Sequence, residues 1–144
     1  MRTAPYFSAL LLAYASASHA ALGGLPEQFN TVASATVSSA VSNYVTRDTT
    51  LATGTRVREY ISGSGMVFAV TWEGPVLPNL KALLGKYFDN MVAESARTPR
   101  AGRSHLSVNL PEVVINSGGH MRAFEGSAWI PAEFPAGFTV DDVR

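Results

Sequence analysis

The stretch T-R-V-R-E-Y-I-S-G-S-G-M-V-F-A-V-T-W, from Thr55 to Trp72, decides the predicted fold. Two runs rich in β-branched and aromatic residues flank Gly63-Ser64-Gly65, a pattern typical of two strands joined by a tight turn. The pattern predicts strands from Arg56 to Ser62 and from Met66 to Trp72. In a three-residue loop of this kind the last residue has a left-handed backbone, so we expect a positive φ at Gly65.

The length of the turn also predicts which residues of the two strands lie opposite each other. A three-residue loop places Ser62 opposite Met66. A loop with an even number of residues would instead place the carboxylate of Glu59 opposite Phe68, on an apolar face where burial of a charge is costly. We therefore expect the register of the three-residue loop to continue along the hairpin, with the pairs Ile61–Val67, Tyr60–Phe68, Glu59–Ala69, Arg58–Val70 and Arg56–Trp72.

The sequence around this hairpin predicts one earlier strand and one main helix. Alternation from Tyr44 to Leu51 predicts the strand. After two prolines that cannot continue a strand, Asn79 is suited to begin a helix that extends to Glu94. The helix carries an apolar stripe of the kind that packs against a sheet, made of Leu80, Leu83, Leu84, Tyr87, Phe88 and Met91.

The last forty residues predict further strands and an irregular tail. Strand segments from His105 to Asn109 and from Glu112 to Asn116 are interrupted at Pro111, which indicates a sheet edge or a bulge. We expect Ser117-Gly118-Gly119 to turn the chain into a strand from Met121 to Ile130, and Phe134 and Phe138 to pack the tail onto the body. The predicted fold class is α+β: an antiparallel β-sheet of hairpins with one main amphipathic helix packed on one face, within a single domain over residues 44–144.

The first twenty residues have the pattern of a cleaved signal peptide. Arg2 precedes an apolar run from Ala4 to Ala15, and Ser18-His19-Ala20 supplies small residues at a cleavage site after Ala20. The apolar run is shorter than the roughly 20 residues of a membrane span, so we expect no transmembrane segment after cleavage. These features predict export to the periplasm or the extracellular space.

Residues 21–43 are predicted to form a weakly structured N-terminal lead. From Thr31 to Asn43 the chain consists mainly of small and hydroxyl-bearing residues. Such residues bury little area, so a weak helix or disorder is favoured over a strand in this run.

Composition argues against several classes of function. The 144 residues contain 11 basic and 11 acidic side chains, which argues against a nucleic-acid partner because such proteins usually carry a basic excess. Cysteine is absent, so disulfides, thiolate metal sites and thiol catalysis are excluded. His105 and His120 have no spacing typical of a metal site, and the glutamates at 59, 73, 112 and 125 are expected to face solvent. We assign no catalytic, cofactor-binding or metal-binding residue and predict no cofactor.

Two local features keep other functions open. Ser117 and His120, within S-G-G-H, would suit a hydrolase if the turn brought hydroxyl and imidazole together, although a tight turn before a strand explains the same residues. Trp72, Tyr87 and Trp129 would suit a groove between helix and sheet for a lipid or glycan. Aromatic residues at strand spacing are more often part of a core, and this explanation also covers Tyr60, Phe68 and Phe124.

Two blocks of sequence resemble a known family. They are G-T-R-V-R-E-Y-I-S-G-S-G-M-V-F-A-V-T-W-E-G-P-V-L-P-N-L-K-A-L-L-G-K-Y-F, from Gly54 to Phe88, and L-S-V-N-L-P-E-V-V-I-N-S-G-G-H-M-R-A-F-E-G-S-A-W-I-P-A-E-F-P-A-G-F, from Leu106 to Phe138. Together with A-L-G-G at Ala21 to Gly24, these blocks resemble an uncharacterised exported family of proteobacteria, domain of unknown function 2844. The resemblance implies export but no activity and no site residue.

The leading hypothesis from the sequence is a non-enzymatic periplasmic or secreted interaction or structural domain. Its partner would be a cell-envelope protein or ligand. A small-ligand binding module and a hydrolase are the two alternatives.

Overall fold

The computed structural model describes residues 22–28, 31–38, 43–97 and 105–143, with residues 31–38 defined through their backbone. These residues form a seven-stranded antiparallel sheet in the order β1-β2-β3-β4-β7-β6-β5, with helices on one face. The predicted α+β class is therefore confirmed, whereas the predicted signal peptide at residues 1–20 lies outside the described residues. The strands are β1 (Thr31–Ser38), β2 (Tyr44–Leu51), β3 (Arg56–Ser62), β4 (Val67–Gly74), β5 (Leu106–Asn109), β6 (Val114–His120) and β7 (Ala123–Trp129).

The β3–β4 turn has the predicted geometry. The Ser62 amide donates to the Met66 carbonyl at 2.8 Å, and the Gly65 amide donates to the Ser62 carbonyl at 2.9 Å. Gly65 has φ of 84°, as expected for the last residue of the loop. Ile61 lies opposite Val67, so the register is confirmed where the strands begin.

Beyond this point the predicted register is wrong by one residue. Strand β4 contains a bulge at Phe68, which has no opposite residue on β3. Ile61 therefore lies opposite Val67, and the preceding residue Tyr60 lies opposite Ala69. All later pairs shift in the same sense, and the predicted pairs of Tyr60, Glu59, Arg58 and Arg56 are not formed. The observed pairs are Tyr60–Ala69, Glu59–Val70, Arg58–Thr71, Val57–Trp72 and Arg56–Glu73.

The bulge explains why four consecutive residues of β4 are buried. Side chains normally alternate between the two faces of a strand, but Phe68 and Ala69 belong to the same cluster because the bulged residue interrupts the alternation. Val67 and Val70 belong to the cluster on the other face. We call the face of Val70 the helix face and the face of Ala69 the tail face.

The helical segment after β4 covers the helix face. Helix α1 (Leu80–Leu84) is capped by Asn79, whose Oδ1 accepts from the Ala82 amide at 3.2 Å. A 3₁₀ turn (Gly85–Tyr87) separates it from α2 (Phe88–Arg97). Gly85 has φ of 52°, which is rare for residues with a side chain, so this glycine divides the predicted continuous helix in two.

A core of aliphatic residues and Trp72 lies between the helical segment and the sheet. The Trp72 indole packs directly over Gly126, where the Cβ of any other residue would lie 2.2 Å from the ring. The buried members of this core are Leu22, Val57, Val67, Val70, Trp72, Leu80, Leu83, Leu84, Tyr87, Val108, Val113, Ile115, Ala128 and Ile130. Among the described residues, no helix is both long and apolar enough to cross a membrane.

The C-terminal hairpins differ from the prediction in where they turn. Leu110 and Val113 exchange backbone hydrogen bonds, so Pro111 lies in a tight turn and not within a strand. Strand β6 continues through Ser117-Gly118-Gly119 to His120, and the turn lies at Met121 and Arg122, which has φ of 67°. The prediction of a turn at the paired glycines is therefore wrong.

The prediction of a weakly structured lead is wrong for the described part of residues 21–43. Thr31–Ser38 forms strand β1, which pairs antiparallel with β2. Leu22 is fully buried, and its amide donates to the Leu83 carbonyl at 3.0 Å. Small hydroxyl-bearing residues form this strand because β2 supplies the hydrogen-bonding partner that a local analysis of burial does not consider.

A buried carboxylate ties the N-terminal segment to the sheet. The Glu59 side chain is fully buried on the helix face, although it was expected to face solvent. Its Oε2 accepts from Arg47 Nε at 2.7 Å, and its Oε1 accepts from the Glu27 amide at 3.0 Å. The Arg47 guanidinium also donates to the Glu27 carbonyl. One ion pair thus joins β2, β3 and the N-terminal segment.

Burial raises the pKa of Glu59 above its ordinary value of 4.5, because desolvation outweighs the stabilising effects of the Glu27 amide and Arg47 on the charged form. The folded protein therefore holds this proton more tightly than the unfolded chain does. By linkage, the contribution of Glu59 to stability is complete below pH 4.5 and declines as the pH rises through the raised pKa.

Arg47→Met should reveal how strongly the fold depends on this pair. At pH 8 the variant holds a buried carboxylate without its cation, and we expect the free energy of unfolding to fall by about 3–5 kcal/mol. At pH 5 the loss should be smaller, because protonation of Glu59 removes the buried charge. Urea unfolding at both pH values measures the difference.

The double variant Arg47→Met/Glu59→Met is the control for this prediction. It removes both charges, so it should be more stable than Arg47→Met alone at pH 8. Equal destabilisation of Arg47→Met at the two pH values would contradict the assigned role of Glu59.

Candidate ligand groove

Cross-strand pairing arranges the tail face in three parallel rows of side chains. Successive rows are two residues apart along each strand, which is about 7 Å. Within a row, neighbouring residues lie on adjacent strands about 4.8 Å apart. The apolar row consists of Tyr60, Ala69, Trp129 and Val114; the polar row of Asp48, Arg58, Thr71, Ser127, Asn116 and Ser107; and the charged row of Thr50, Arg56, Glu73, Glu125 and Gly118.

The C-terminal segment packs on the apolar row, and its Val143 also borders the other two rows. Phe138 packs edge-on against Phe68 at a centroid distance of 4.9 Å and against Tyr44 at 5.0 Å. Phe134 lies 4.9 Å from Phe138 and completes the cluster. The predicted packing of both phenylalanines is confirmed. Because the aromatic cluster lies at one end of the sheet, the polar and charged rows remain accessible on the same face.

Two interactions organise the polar row. Arg58 donates to both carboxylate oxygens of Asp48, through Nε at 2.5 Å and Nη2 at 2.9 Å. This bidentate pair raises the pKa of Arg58 above its ordinary value, chiefly through the hydrogen bond to Asp48. At the other end of the row, Ser107 Oγ is 2.8 Å from Asn116 Oδ1 and donates to it. Thr71 and Ser127 lie opposite each other between these two anchors.

The charged row brings two carboxylates to directly opposite positions. Glu73 of β4 pairs with Glu125 of β7, and both side chains are exposed. Arg56 lies opposite Glu73 on the other side, but within the described residues neither glutamate forms an ion pair or a side-chain hydrogen bond. Like charges at directly opposite positions of a sheet are destabilising. The arrangement therefore leaves one negative charge in excess over the nearby arginine.

An open groove of about 380 Å³ lies over these two rows. Gly118 has no side chain and leaves space on the side of β6, where His105 also borders the groove. The polar part of the lining offers cationic, anionic, hydroxyl and amide groups on a rigid sheet: Arg56, Arg58, Thr71, Glu73, Asn116, Glu125 and Ser127.

The structure does not bring Ser117 and His120 together. They lie three positions apart on β6, and because side chains alternate along a strand they project from opposite faces of the sheet. Ser117 lies opposite Gly126, and His120 lies opposite Ala123 at the end of the hairpin. A nucleophile and its base must be within hydrogen-bond reach, so this geometry does not support the hydrolase hypothesis.

The predicted groove between helix and sheet is not formed by its three aromatic residues. Trp72 and Tyr87 belong to the core on the helix face, whereas Trp129 belongs to the aromatic cluster on the tail face. Tyr60 and Phe68 are also buried, so the interpretation of strand aromatic residues as core is confirmed for these two and for Trp72 and Trp129, whereas Phe124 is half-buried. Within the described part of the chain, no cluster of three or more histidine or acidic side chains is placed to hold a metal ion.

The observed groove has a sequence signal that becomes visible only with the correct register. On β4 and β7, every second residue changes from small or aromatic to polar and then to charged, as in Trp129, Ser127 and Glu125, and β3 changes from Tyr60 to two arginines. The predicted register placed Arg58 opposite Val70 and Arg56 opposite Trp72, which mixed the two faces. The one-residue bulge at Phe68 therefore concealed the site.

Replacing one of the opposed carboxylates should stabilise the protein. We expect Glu125→Gln to raise the free energy of unfolding by about 0.2–1 kcal/mol at low salt, because it removes a like-charge pair between adjacent strands. Urea unfolding of Glu125→Gln against Glu133→Gln, an exposed glutamate outside the groove, measures the effect. A loss of stability in Glu125→Gln alone would show that the carboxylate has a stabilising partner.

The comparisons with known proteins identify a family but no characterised relative. A family model described as "Protein of unknown function (DUF2844)" matches residues 18–143. Neither the curated proteins nor the solved structures contain a match to this chain. The match spans most of the sequence, including both quoted blocks and every residue that lines the groove, so the chain belongs to the DUF2844 family of proteins of unknown function.

Proposed function

We propose that this protein is an exported, non-enzymatic module that binds a small, hydroxyl-rich ligand in the groove of the tail face. The observation that carries the proposal is the pair of opposed carboxylates, Glu73 and Glu125, which have no ion-pair partner among the described residues and lie in an open groove lined mainly with hydrogen-bonding groups. Side chains that destabilise a sheet without a local compensating contact are typical of binding sites.

The chemistry of the lining favours a saccharide over a lipid. Planar guanidinium, carboxylate and amide groups form paired hydrogen bonds with neighbouring hydroxyl groups, and the groove provides them in Arg56, Glu73 and Asn116. A lipid chain would leave these groups desolvated without partners. Of the two ligand classes considered from the sequence, the glycan is therefore the better fit.

The excess negative charge favours a sugar with an amino group. Arg58 is neutralised by Asp48, and Arg56 lies beside Glu73, so Glu125 has no cation of its own among the residues that the structure describes. An ammonium group placed between Glu73 and Glu125 would relieve their repulsion and donate charge-assisted hydrogen bonds. The corresponding N-acetylated sugar cannot do so, because its amide nitrogen is uncharged.

Calorimetric titration with glucosamine oligomers and with N-acetylglucosamine oligomers of the same length tests the ligand. We expect the amino form to bind more tightly, and Glu125→Gln to weaken its binding by about tenfold or more, since a hydrogen bond to a charged group is worth about 1.5–3 kcal/mol. Glu133→Gln, outside the groove, should bind like the native protein. Failure of both oligomers to bind would overturn the saccharide proposal.

Export is supported by the charged start, the apolar run and the small residues before Ala21. Expression of the full coding sequence in a Gram-negative host, followed by fractionation and intact-mass measurement, should give a periplasmic or secreted protein that begins at Ala21. Ala20→Arg should block this cleavage, because the peptidase requires a small residue at that position. A native protein recovered in the cytoplasm with residues 1–20 attached would contradict export.

A further inference from the structure

The two edges of the sheet differ in how well they are protected from pairing with another strand. Strand β5 is only four residues long and is followed by Pro111 in its turn. Helix α2 is tied to the same hairpin, since Asn90 Nδ2 donates to Glu112 Oε1 at 3.2 Å. Short length, a nearby proline and a covering helix are the usual means of protecting an edge.

Strand β1 has almost none of these protections. It is eight residues long and lies at the other edge of the sheet formed by the described residues. Lysine, other charged residues and proline are the usual blocking residues, and the sequence contains none of them between Glu27 and Arg47. One bulge at Val32 disturbs the pairing with β2 near the start of β1, and the pairing from Ala33 to Ser38 is regular.

The sequence of β1 is suited to pairing with itself. A two-fold axis normal to a sheet relates two antiparallel edge strands so that one residue lies opposite its own copy. With Ala35 on the axis, Ser34 lies opposite Thr36 and Ala33 opposite Val37, all within the regular part of the strand. Pairs of hydroxyl-bearing residues and pairs of small apolar residues are compatible cross-strand neighbours. Because β1 contains no charged residue, pairing with its copy places no like charges opposite each other.

We propose that β1 is a self-association edge: two copies of this chain pair antiparallel through β1, centred on Ala35, to form one continuous sheet. Backbone amides and carbonyls at the outer edge of β1 supply the hydrogen bonds. The partner is a second copy because the uncharged strand is self-complementary in this register. β1 is two strands away from the nearest strand that lines the groove, so this proposal does not depend on the proposed function.

Charge substitutions at the axis test the proposal. The protein expressed from its full coding sequence should sediment as a dimer from micromolar to near-millimolar concentration in analytical ultracentrifugation. Ala35→Lys and Ala35→Glu each place like charges at directly opposite positions, so each should sediment as a monomer. An equimolar mixture of the two variants should regain the dimer, because opposite charges then meet at the axis.

Ser107→Lys, the corresponding substitution on the opposite edge strand, is the matched control and should remain dimeric. Circular dichroism melts of each variant show whether it is folded. If an Ala35 variant does not fold, hydrogen exchange of the native protein provides a second measurement, since within residues 33–37 the alternate amides that point away from β2 should become more protected as concentration rises. A native protein that is monomeric throughout, or Ala35 variants that remain dimeric when studied separately, would overturn the proposal.

Discussion

The fold depends on how a fully buried carboxylate, Glu59, is satisfied. A charge in this position is tolerated only with a cation and hydrogen bonds in close contact, and these come from Arg47 on the neighbouring strand and from the Glu27 amide. Since Glu27 belongs to the segment that begins with buried Leu22, the charge requirement of one strand determines the path of a segment about thirty residues earlier in the chain. Backbone hydrogen bonds also hold the N-terminal segment against the helical segment and β4. The Leu22 amide donates to the Leu83 carbonyl at 3.0 Å, and the Gly23 amide donates to the Val67 carbonyl at 2.8 Å. Leu22, in what a local analysis would regard as a weakly structured lead, is therefore part of the core.

A second constraint is the bulge at Phe68, which allows β4 to contribute to two clusters. With strict alternation Phe68 and Ala69 would lie on opposite faces, and the aromatic cluster would lose its central ring. With the bulge, Phe68 packs against Phe138 and Ala69 continues the apolar row, while Val70 and Trp72 remain on the helix face. The insertion shifts the remainder of the β3–β4 pairing by one residue. In this register Arg58 and Arg56 face Thr71 and Glu73, and the polar and charged rows align across the sheet.

The features predicted from the sequence are those that depend on neighbouring residues. Gly65 takes its positive φ from the local turn, and Asn79 caps the helix through an amide three residues away. The apolar stripe from Leu80 to Tyr87 packs as its spacing indicates. Strand β1 could not be predicted in this way, because it is paired with β2, and a local analysis of its small residues does not consider that partner. The groove was concealed for a related reason: its rows run across five or six strands, and an error of one residue in one register moves Arg56 and Arg58 opposite residues of the wrong face.

The acidic residues of this sheet are of two kinds, one that is buried and satisfied by the fold and two that are exposed and opposed to each other. Glu59 is buried, and both of its oxygens accept hydrogen bonds, so its carboxyl group is satisfied within the fold. Glu73 and Glu125 are exposed and opposed, and in the described residues they have no cation that compensates both of them. A glutamate at either position contributes nothing to the core, and its repulsion acts against the fold. The two edge strands of the sheet also differ from each other. Strand β5 is short and lies beside helix α2, whereas strand β1 is long and uncharged. The core does not require these exposed groups, and they are the positions at which we propose binding.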